Sequence, residues 1–164
     1  MNKSIEFTQL QIKAYENGAT MFIVPIKESM QYGAETMENY VFTNRYTPIQ
    51  KGDKDIFIKE EFRLYTETQI DYKADTPNIN LDWEDASKMT KEQSRYTISE
   101  CIDVRDVRVK DIKAVEMCDI ISAKNKDISN YNDFIVCYNN QLKEHNINRT
   151  YEDNDYVFLI EVKK

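Results

Sequence analysis

The chain has 164 residues, the size of one ordinary domain, which is enough to bury most of the surface that the unfolded chain exposes. Its 22 basic and 29 acidic side chains give a net charge of -7, which argues against strong binding to extended duplex nucleic acid, since phosphate contacts supply most of that affinity. No apolar run reaches the roughly 20 residues that span a bilayer, and no apolar leader is present, so a cytoplasmic protein without a membrane partner is expected.

The first predicted element is a short helix. Thr8 and Gln11 have the spacing of a capping box, in which each side chain satisfies the backbone N–H of the other residue. Gly18 is predicted to end the helix in a left-handed conformation. The residues predicted to share its buried face are Leu10, Ala14 and Tyr15.

An apolar, β-branched run at residues 21 to 26 follows this helix and predicts a strand. Pro25 stands near the end of the run and lacks a backbone N–H, so the strand is expected close to a sheet edge. Residues 29 to 47 are polar, with few periodic apolar positions, and are predicted to form a long loop.

Two further strands are predicted in the middle of the chain. Residues 56 to 58 are consecutive apolar residues, as in a strand that is buried on both faces. A later strand should have one wet face, because its apolar residues alternate; they are Tyr96, Ile98, Ile102 and Val104. The apolar positions then shift to Val107 and Val109, which predicts a bulge or bend after Val104.

The last part of the chain predicts helices at residues 113 to 123 and 131 to 145, and a strand at residues 156 to 162. The apolar stripe of the second helix is predicted to consist of Tyr131, Ile135, Tyr138 and Leu142. Together the elements predict a single α+β domain over residues 1–164, a small mixed β-barrel with flanking helices.

Cysteine and histidine usage gives no sign of a metal or other cofactor. Cys101, Cys118 and Cys137 are odd in number and far apart, so reduced thiols are expected rather than a disulfide framework or a metal site. His145 is the only histidine and stands at the end of a predicted helix, where the helix dipole favours a cation. Any triad that uses histidine as a base would depend on this one residue.

The segment from Trp83 to Ile112 has a distinctive order of residues. Trp83 is followed by Met89, then by the pair Ser94-Arg95 at the start of a predicted strand, and the strand leads to Asp111-Ile112. This order resembles the middle of the ASCH-like proteins of bacteriophages and prophages, a branch of the PUA-like superfamily of small β-barrels. The resemblance implies the same barrel with flanking helices for this chain.

More segments match that family in the same order, so that the resemblance covers nearly the whole chain, from about Gln9 to Lys164. A P-x-x-x-G-D turn at residues 48 to 53 precedes a strand that ends in Lys59, Glu60 and an aromatic residue. The tetrapeptide at residues 72 to 75 follows. Phe134 and Tyr138, and the strand at residues 154 to 162, resemble the closing helix and strand.

The catalytic turn of the family is altered in this chain. In the members that remove an acetyl group from N4-acetylcytidine, the turn after the first helix has the pattern G-K-T-x-T-R-R-P, and its Lys and second Thr are regarded as catalytic. Here Ala19 stands at the Lys position and Phe22 at the second Thr position. A Thr hydroxyl needs a neighbouring base or cation to act as a nucleophile. Whether the chain is an enzyme is therefore uncertain, and the sequence favours a non-catalytic protein with no catalytic residues.

Polar and aromatic residues at the other matched positions suggest a ligand-binding cleft. A carboxylate could accept hydrogen bonds from a base edge, an aromatic ring could stack on the base, and the cations could contact a phosphate or carbonyl oxygen. Each side chain also has a structural interpretation, such as an ion pair between Arg95 and Glu60. The predicted ligand-binding residues are Lys59, Glu60, Tyr72, Lys73, Trp83 and Arg95.

Three functions stay open at this stage. The first is a non-catalytic PUA-like module from a phage or mobile element, whose partner is a nucleoside or a short RNA. The second is an amidohydrolase of the N4-acetylcytidine type with a relocated nucleophile, for which Thr20 is the candidate. The third is a protein-interaction factor that contacts a protein partner through the apolar turn at residues 21 to 24, provided that this turn is exposed.

Overall fold

The computed structural model describes residues 3–26, 49–76, 81–122 and 130–164. The loop predicted at residues 29 to 47 lies outside the described residues, as does the last residue of the helix predicted at residues 113 to 123. The described part is a mixed α+β structure.

Seven strands and three α-helices follow one another along the described residues. The strands are β1 (Ser4–Glu6), β2 (Met21–Pro25), β3 (Lys54–Lys59), β4 (Phe62–Leu64), β5 (Ile70–Tyr72), β6 (Thr97–Arg108) and β7 (Tyr156–Lys163). The helices are α1 (Gln9–Glu16), α2 (Ala114–Ile120) and α3 (Asn130–Glu144), and short 3-10 turns lie at Ala86–Lys88, Val109–Asp111 and Tyr151–Asp153.

Five strands form one mixed sheet in the order β1-β3-β6-β7-β2. β1 runs parallel to β3, and all the other pairs are antiparallel. The remaining two strands, β4 and β5, form a separate hairpin. The predicted position of residues 21 to 26 near a sheet edge is confirmed, since β2 is the last strand of the order.

Apolar side chains cover both faces of the sheet, which explains the nearly continuous apolar runs of β2, β3 and β7. On one face, Phe22 and Ile160 pack with strand residues such as Ile58 and with α1. On the other face, Ile23 and Leu159 pack against side chains of α2 and α3. The buried strand predicted at residues 56 to 58 is confirmed.

The start of α1 agrees with the sequence, and its buried face agrees at Ala14 and Tyr15 but not at Leu10. Thr8 accepts a hydrogen bond from the Gln11 N–H at 3.3 Å, and the Gln11 side chain accepts one from the Thr8 N–H at 3.0 Å. Gly18 has the predicted positive φ, at 100°. Leu10, however, is 39% exposed, while Gln11 is buried. Gln11 takes the inner position because its amide donates to the carbonyl of Ile23.

Two other details of the apolar pattern were predicted incorrectly. The bulge of β6 lies between Cys101 and Asp103, and it leaves Ile102 exposed. The alternation of side chains between the two faces of the strand therefore shifts before Val104, whereas the sequence predicted a shift after it. In α3, Tyr131 is exposed rather than buried, and its hydroxyl lies 3.0 Å from that of Tyr151.

The five-stranded sheet is not closed into a barrel within the described residues. Its order ends on β1 and β2, and no backbone pairing joins these two strands. The sheet is nevertheless curled, since the ring of Phe7, just after β1, lies 4.5 Å from the ring of Phe22 in β2. The last strand, expected at residues 156 to 162 to close a barrel, lies instead between β6 and β2.

Candidate functional site

A buried ion pair lies where the end of β3 meets the start of β6. The two strands are antiparallel neighbours, with Phe57 opposite Thr97, so Glu60 and Arg95 are brought together at the same end. Nε of Arg95 donates to Oε2 of Glu60 at 3.0 Å, and Nη2 donates to Oε1 at 2.9 Å. Glu60 is only 2% exposed, and this paired geometry is that of an ionised carboxylate with a guanidinium.

The third nitrogen of the Arg95 guanidinium has a partner of its own. Nη1 donates to Oδ2 of Asp75 at 2.6 Å, and the ammonium of Lys13 lies 3.6 Å from the other oxygen of that carboxylate. All three guanidinium nitrogens therefore contact protein carboxylates. The side chains of Asp75 and Lys13 are about half exposed to solvent, whereas that of Glu60 is buried.

Two tyrosine rings complete the group. The guanidinium carbon of Arg95 lies 4.2 Å from the ring centre of Tyr72 and 5.0 Å from that of Tyr96. The Tyr72 hydroxyl donates to the carbonyl of Gln93 at 2.7 Å, and the Tyr96 hydroxyl bonds to the carboxylate of Glu16 on α1. We call Lys13, Glu60, Tyr72, Asp75, Arg95 and Tyr96 the Arg95 cluster.

Burial and charge set the protonation states in the cluster. Burial raises the pKa of Glu60, and the hydrogen bonds and charge of Arg95 oppose that rise without cancelling it. The hydrogen bond from Arg95 lowers the pKa of Asp75. Burial alone would lower the pKa of Arg95, but its two carboxylate partners outweigh burial and raise it. Burial, with the Glu16 hydrogen bond, raises the pKa of Tyr96 to about 12.

Only three of the six predicted ligand-binding residues belong to this cluster, namely Glu60, Tyr72 and Arg95. Lys59 donates to the Ser87 carbonyl at 3.2 Å. Lys73 forms an ion pair with Glu61 at 2.7 Å.

Trp83 lies beside a different arginine. Its ring is 5.9 Å from the guanidinium carbon of Arg63, which pairs with Asp71 in the hairpin. Phe62 pairs with Tyr72, so Arg63 projects from the opposite face of the hairpin to Tyr72. Trp83 therefore contacts a residue on the far side of the hairpin from the cluster.

The other half of the cluster, Lys13, Asp75 and Tyr96, was not among the predicted ligand-binding residues. Asp75 closes the tetrapeptide that begins at Tyr72, and Tyr96 follows Arg95 directly, so both were within reach of the matched segments. Lys13 could not be found in this way, because α1 is brought to the cluster by packing and not by any local motif.

The turn that corresponds to the catalytic turn of the family lies in the core. Ala19, Met21, Phe22 and Ile23 are buried, and Val24 is half-buried. The residues predicted as an apolar contact surface thus face protein rather than solvent, which removes the support for an interaction surface there. Thr20 is exposed, and within the described residues its hydroxyl has no hydrogen-bond partner that could activate it.

Comparison with protein-family models, with curated proteins and with solved structures gives no match for this chain. The resemblance to the ASCH-like proteins therefore stays a prediction that rests on the residues quoted for it.

The described residues offer no metal site and no membrane span. No group of three or more histidine, cysteine or acidic side chains among them is arranged to hold an ion. None of the described helices is long and apolar enough to cross a bilayer. The three cysteines form no disulfide with one another; Cys101 and Cys118 are buried, and Cys137 is half-buried.

His145 follows α3 and is half-buried beside an acidic cleft of about 150 Å³. Burial lowers the pKa of its imidazole, and the charges of Asp85 and Glu61 only partly oppose this. The shift is opposite in direction to the one that the helix dipole favours, because burial disfavours the charged imidazole. The acidic side chains that line this cleft are Glu6, Glu61, Asp85 and Glu144.

We expect His145 to make the protein less stable as the pH falls below about 6.5, the ordinary histidine pKa. Between that value and the lower pKa of the folded state, the unfolded chain binds more protons, so stability rises with pH by at most about 1.4 kcal/mol per unit. Urea unfolding of the wild type and His145→Gln from pH 7.5 to 5.5 measures this. As the pH falls, the wild type should lose more stability than the variant. Parallel curves of unfolding free energy against pH would contradict a lowered pKa of His145.

Proposed function

We propose that this chain is a non-catalytic PUA-like module that binds a nucleoside or a short single-stranded RNA at the Arg95 cluster. The observation that carries the proposal is the position of the Arg95 guanidinium against the Tyr72 ring, at 4.2 Å, with two carboxylates holding it in place. Aromatic rings and guanidinium planes are the groups on which proteins stack bases.

The half-exposed members of the cluster are suited to direct contact with the ligand. The Asp75 carboxylate can accept hydrogen bonds from the amino group of a base, and its lowered pKa keeps it ionised. The Lys13 ammonium beside it can donate to a ribose oxygen. Each guanidinium nitrogen of Arg95 already donates to a carboxylate of the protein, so we assign Arg95 the role of a positioning residue for Asp75 and Tyr72.

The charge of the cluster favours a small ligand over a long polyanion. Two cations, Lys13 and Arg95, lie among Glu60, Asp75 and the neighbouring Glu16, so the cluster has no excess of positive charge. The net charge of the chain, -7, acts in the same direction. A nucleoside or a short strand, bound through stacking and hydrogen bonds, meets little of this repulsion.

Two observations weigh against an amidohydrolase. Ala19 and Phe22 stand where the resemblance places the catalytic Lys and Thr, and both are buried in the core. Covalent catalysis loses most of its rate when the nucleophile and its activating group are removed together. Thr20 is exposed, without a described base beside its hydroxyl.

Calorimetric titration tests the proposal with cytidine, uridine, adenosine and a tetraribonucleotide as ligands. We expect saturable binding of at least one of them, and a roughly 10- to 100-fold weaker affinity for Asp75→Asn, because a hydrogen bond to a charged group contributes about 1.5–3 kcal/mol. Asp71→Asn is the matched control, since Asp71 also pairs with an arginine but lies on the other face of the hairpin. Absence of binding by all four ligands, or equal affinities for wild type and Asp75→Asn, would overturn the proposal.

A further inference from the structure

A second cleft, of about 150 Å³, is lined by Ile23 of β2. It lies on the face of the sheet opposite to the one on which Phe22 is packed. Helices α1 and α3 form its sides, and the end of α2 closes one end. Ile23 of β2 forms the floor, and the apolar wall is made mainly by Ala14, Ile121, Phe134 and Tyr138.

Two glutamines that line this cleft cover the free edge of the sheet. β2 is the last strand of the sheet, and the carbonyl of Ile23 accepts hydrogen bonds from Nε2 of Gln11 at 2.8 Å and from Nε2 of Gln141 at 2.7 Å. Backbone groups at a sheet edge need such partners when they are buried. The carbonyl of Ile23 is therefore fully satisfied by the two side chains.

The two glutamines differ in what their carbonyl oxygens do. Oε1 of Gln11 accepts a hydrogen bond from the Thr8 N–H at 3.0 Å. Oε1 of Gln141 has no hydrogen-bond partner among the described residues, although Gln141 is only 6% exposed. This oxygen is an acceptor in the lining of a mainly apolar cleft, and a ligand that donates a hydrogen bond can use it.

We propose that this cleft binds a neutral ligand built on one six-membered aromatic or heteroaromatic ring with an N–H or O–H group, which donates to Oε1 of Gln141. An apolar cavity of about 150 Å³ holds one benzene ring, so the volume of the cleft sets the size of the ligand. The rings of Phe134 and Tyr138 supply an aromatic wall.

The charge around the cleft excludes an ionic ligand. Among the described residues that line it, Lys13 alone is charged, and its ammonium is already within 3.4 Å of Glu16 and 3.6 Å of Asp75. An anion would gain little from a lysine that is paired twice, and a cation would be repelled by it. Lys13 is the one residue that the described lining of the cleft shares with the Arg95 cluster, and the floor and apolar wall of the cleft lie outside that cluster.

Cys137 provides a chemical reporter inside the cleft. It lines the cleft and is half-buried, whereas Cys101 and Cys118 are buried elsewhere in the core. Burial raises the pKa of the Cys137 thiol, so its alkylation by iodoacetamide should be slow and measurable above neutral pH. A ligand in the cleft should slow the reaction further by covering the sulfur.

The test compares phenol with toluene, which has the same ring but no donor. Saturation-transfer NMR should give saturable binding of phenol, with an affinity roughly 2- to 10-fold above that of toluene, the effect of one neutral hydrogen bond. Phenol should also protect Cys137, and not the other cysteines, from alkylation, as followed by peptide mass spectrometry. Gln141→Met should remove the advantage of phenol while toluene still binds, because Gln11 continues to satisfy the Ile23 carbonyl.

Cys137→Leu, which fills the cleft, should abolish the binding of both probes. Val136→Leu is the matched control, since Val136 is an exposed neighbour on the same helix and does not line the cleft. If Cys137→Leu does not fold, the test rests on whether phenol protects Cys137 of the wild type from alkylation. The proposal is overturned if phenol does not bind saturably, if it leaves the alkylation rate of Cys137 unchanged, or if phenol and toluene bind equally.

Discussion

Replacing Arg95 by alanine should lower the free energy of unfolding by about 3–5 kcal/mol, the usual cost of breaking a buried ion pair by removing one partner. The variant leaves the Glu60 carboxylate without a counter-charge at a position that is 2% exposed. It also removes the cation that lies over the Tyr72 ring. Urea unfolding at pH 7.5 measures the loss.

The pH dependence of that loss identifies its cause. Burial raises the pKa of Glu60 above its ordinary 4.5, and without the opposing charge of Arg95 it should rise further. A carboxyl with a raised folded pKa stabilises the fold below its unfolded pKa, and this stabilisation is lost as the pH rises through the folded pKa. The deficit of Arg95→Ala should therefore be smallest near pH 4.5 and should grow towards neutral pH.

Two further variants provide the controls. Arg63→Ala removes an arginine whose ion pair with Asp71 is more exposed, and it should cost at most about 1 kcal/mol. The double variant Glu60→Met/Arg95→Met replaces both charges by apolar side chains and should recover most of the loss, because no buried charge is left unpaired. An Arg95→Ala deficit that is as small as that of Arg63→Ala, or that does not change with pH, would contradict a buried pair.

Phe22→Ala should lower the free energy of unfolding by about 3–5 kcal/mol, the range for removing a fully buried phenylalanine side chain. The ring is 1% exposed and lies 4.5 Å from the ring of Phe7 and 6.2 Å from that of Tyr15. These contacts link the two ends of the curled sheet to α1, so the cavity left by the substitution cannot close without moving them. Urea unfolding again gives the value.

Thr20→Ala is the matched control, since Thr20 lies in the same turn but is exposed, and its loss should change stability by no more than about 0.5 kcal/mol. The double variant Ala19→Lys/Phe22→Thr restores the Lys and Thr of the family pattern. It should be strongly destabilised and should release no cytidine from N4-acetylcytidine, because both positions are core positions here. Cytidine release by the wild type, abolished by Thr20→Ala, would contradict the non-catalytic assignment.

The sequence predicted those parts of the fold that depend on local patterns. The capping box of Thr8 and Gln11, the left-handed Gly18, the edge position of residues 21 to 26 and the buried strand at residues 56 to 58 were all found. Each rests on turn chemistry or on consecutive apolar residues, which need no knowledge of the rest of the chain.

The parts that were missed depend on contacts between distant segments. Leu10 was predicted to be buried because apolar residues usually are, whereas the buried position belongs to Gln11, whose amide is needed at the edge of β2. Strand β1 and the hairpin of β4 and β5 are three residues long per strand, too short to show a period. The bulge in β6 was predicted, but its place was set by pairing with β7 rather than by the apolar pattern.

The same division applies to the candidate site. An ion pair between Arg95 and Glu60 was the structural interpretation of these two residues from the sequence, and the structure brings them together. Lys13 reaches the cluster from α1, which no local motif records. Trp83 was grouped with Arg95 because both belong to matched segments, but the alternation of side chains in the hairpin places its arginine partner on the opposite face.

The most direct test of the central claim is a residue-resolved NMR titration of the labelled protein with the tetraribonucleotide. The binding account predicts saturable shifts with one common midpoint at the Arg95 Nε–H, the Asp75 backbone amide and the rings of Tyr72 and Tyr96, which form one contiguous cluster. The Arg63 Nε–H, on the other face of the hairpin, should not move. Shifts that are absent, that do not saturate, or that centre on Arg63 and Trp83 would contradict it.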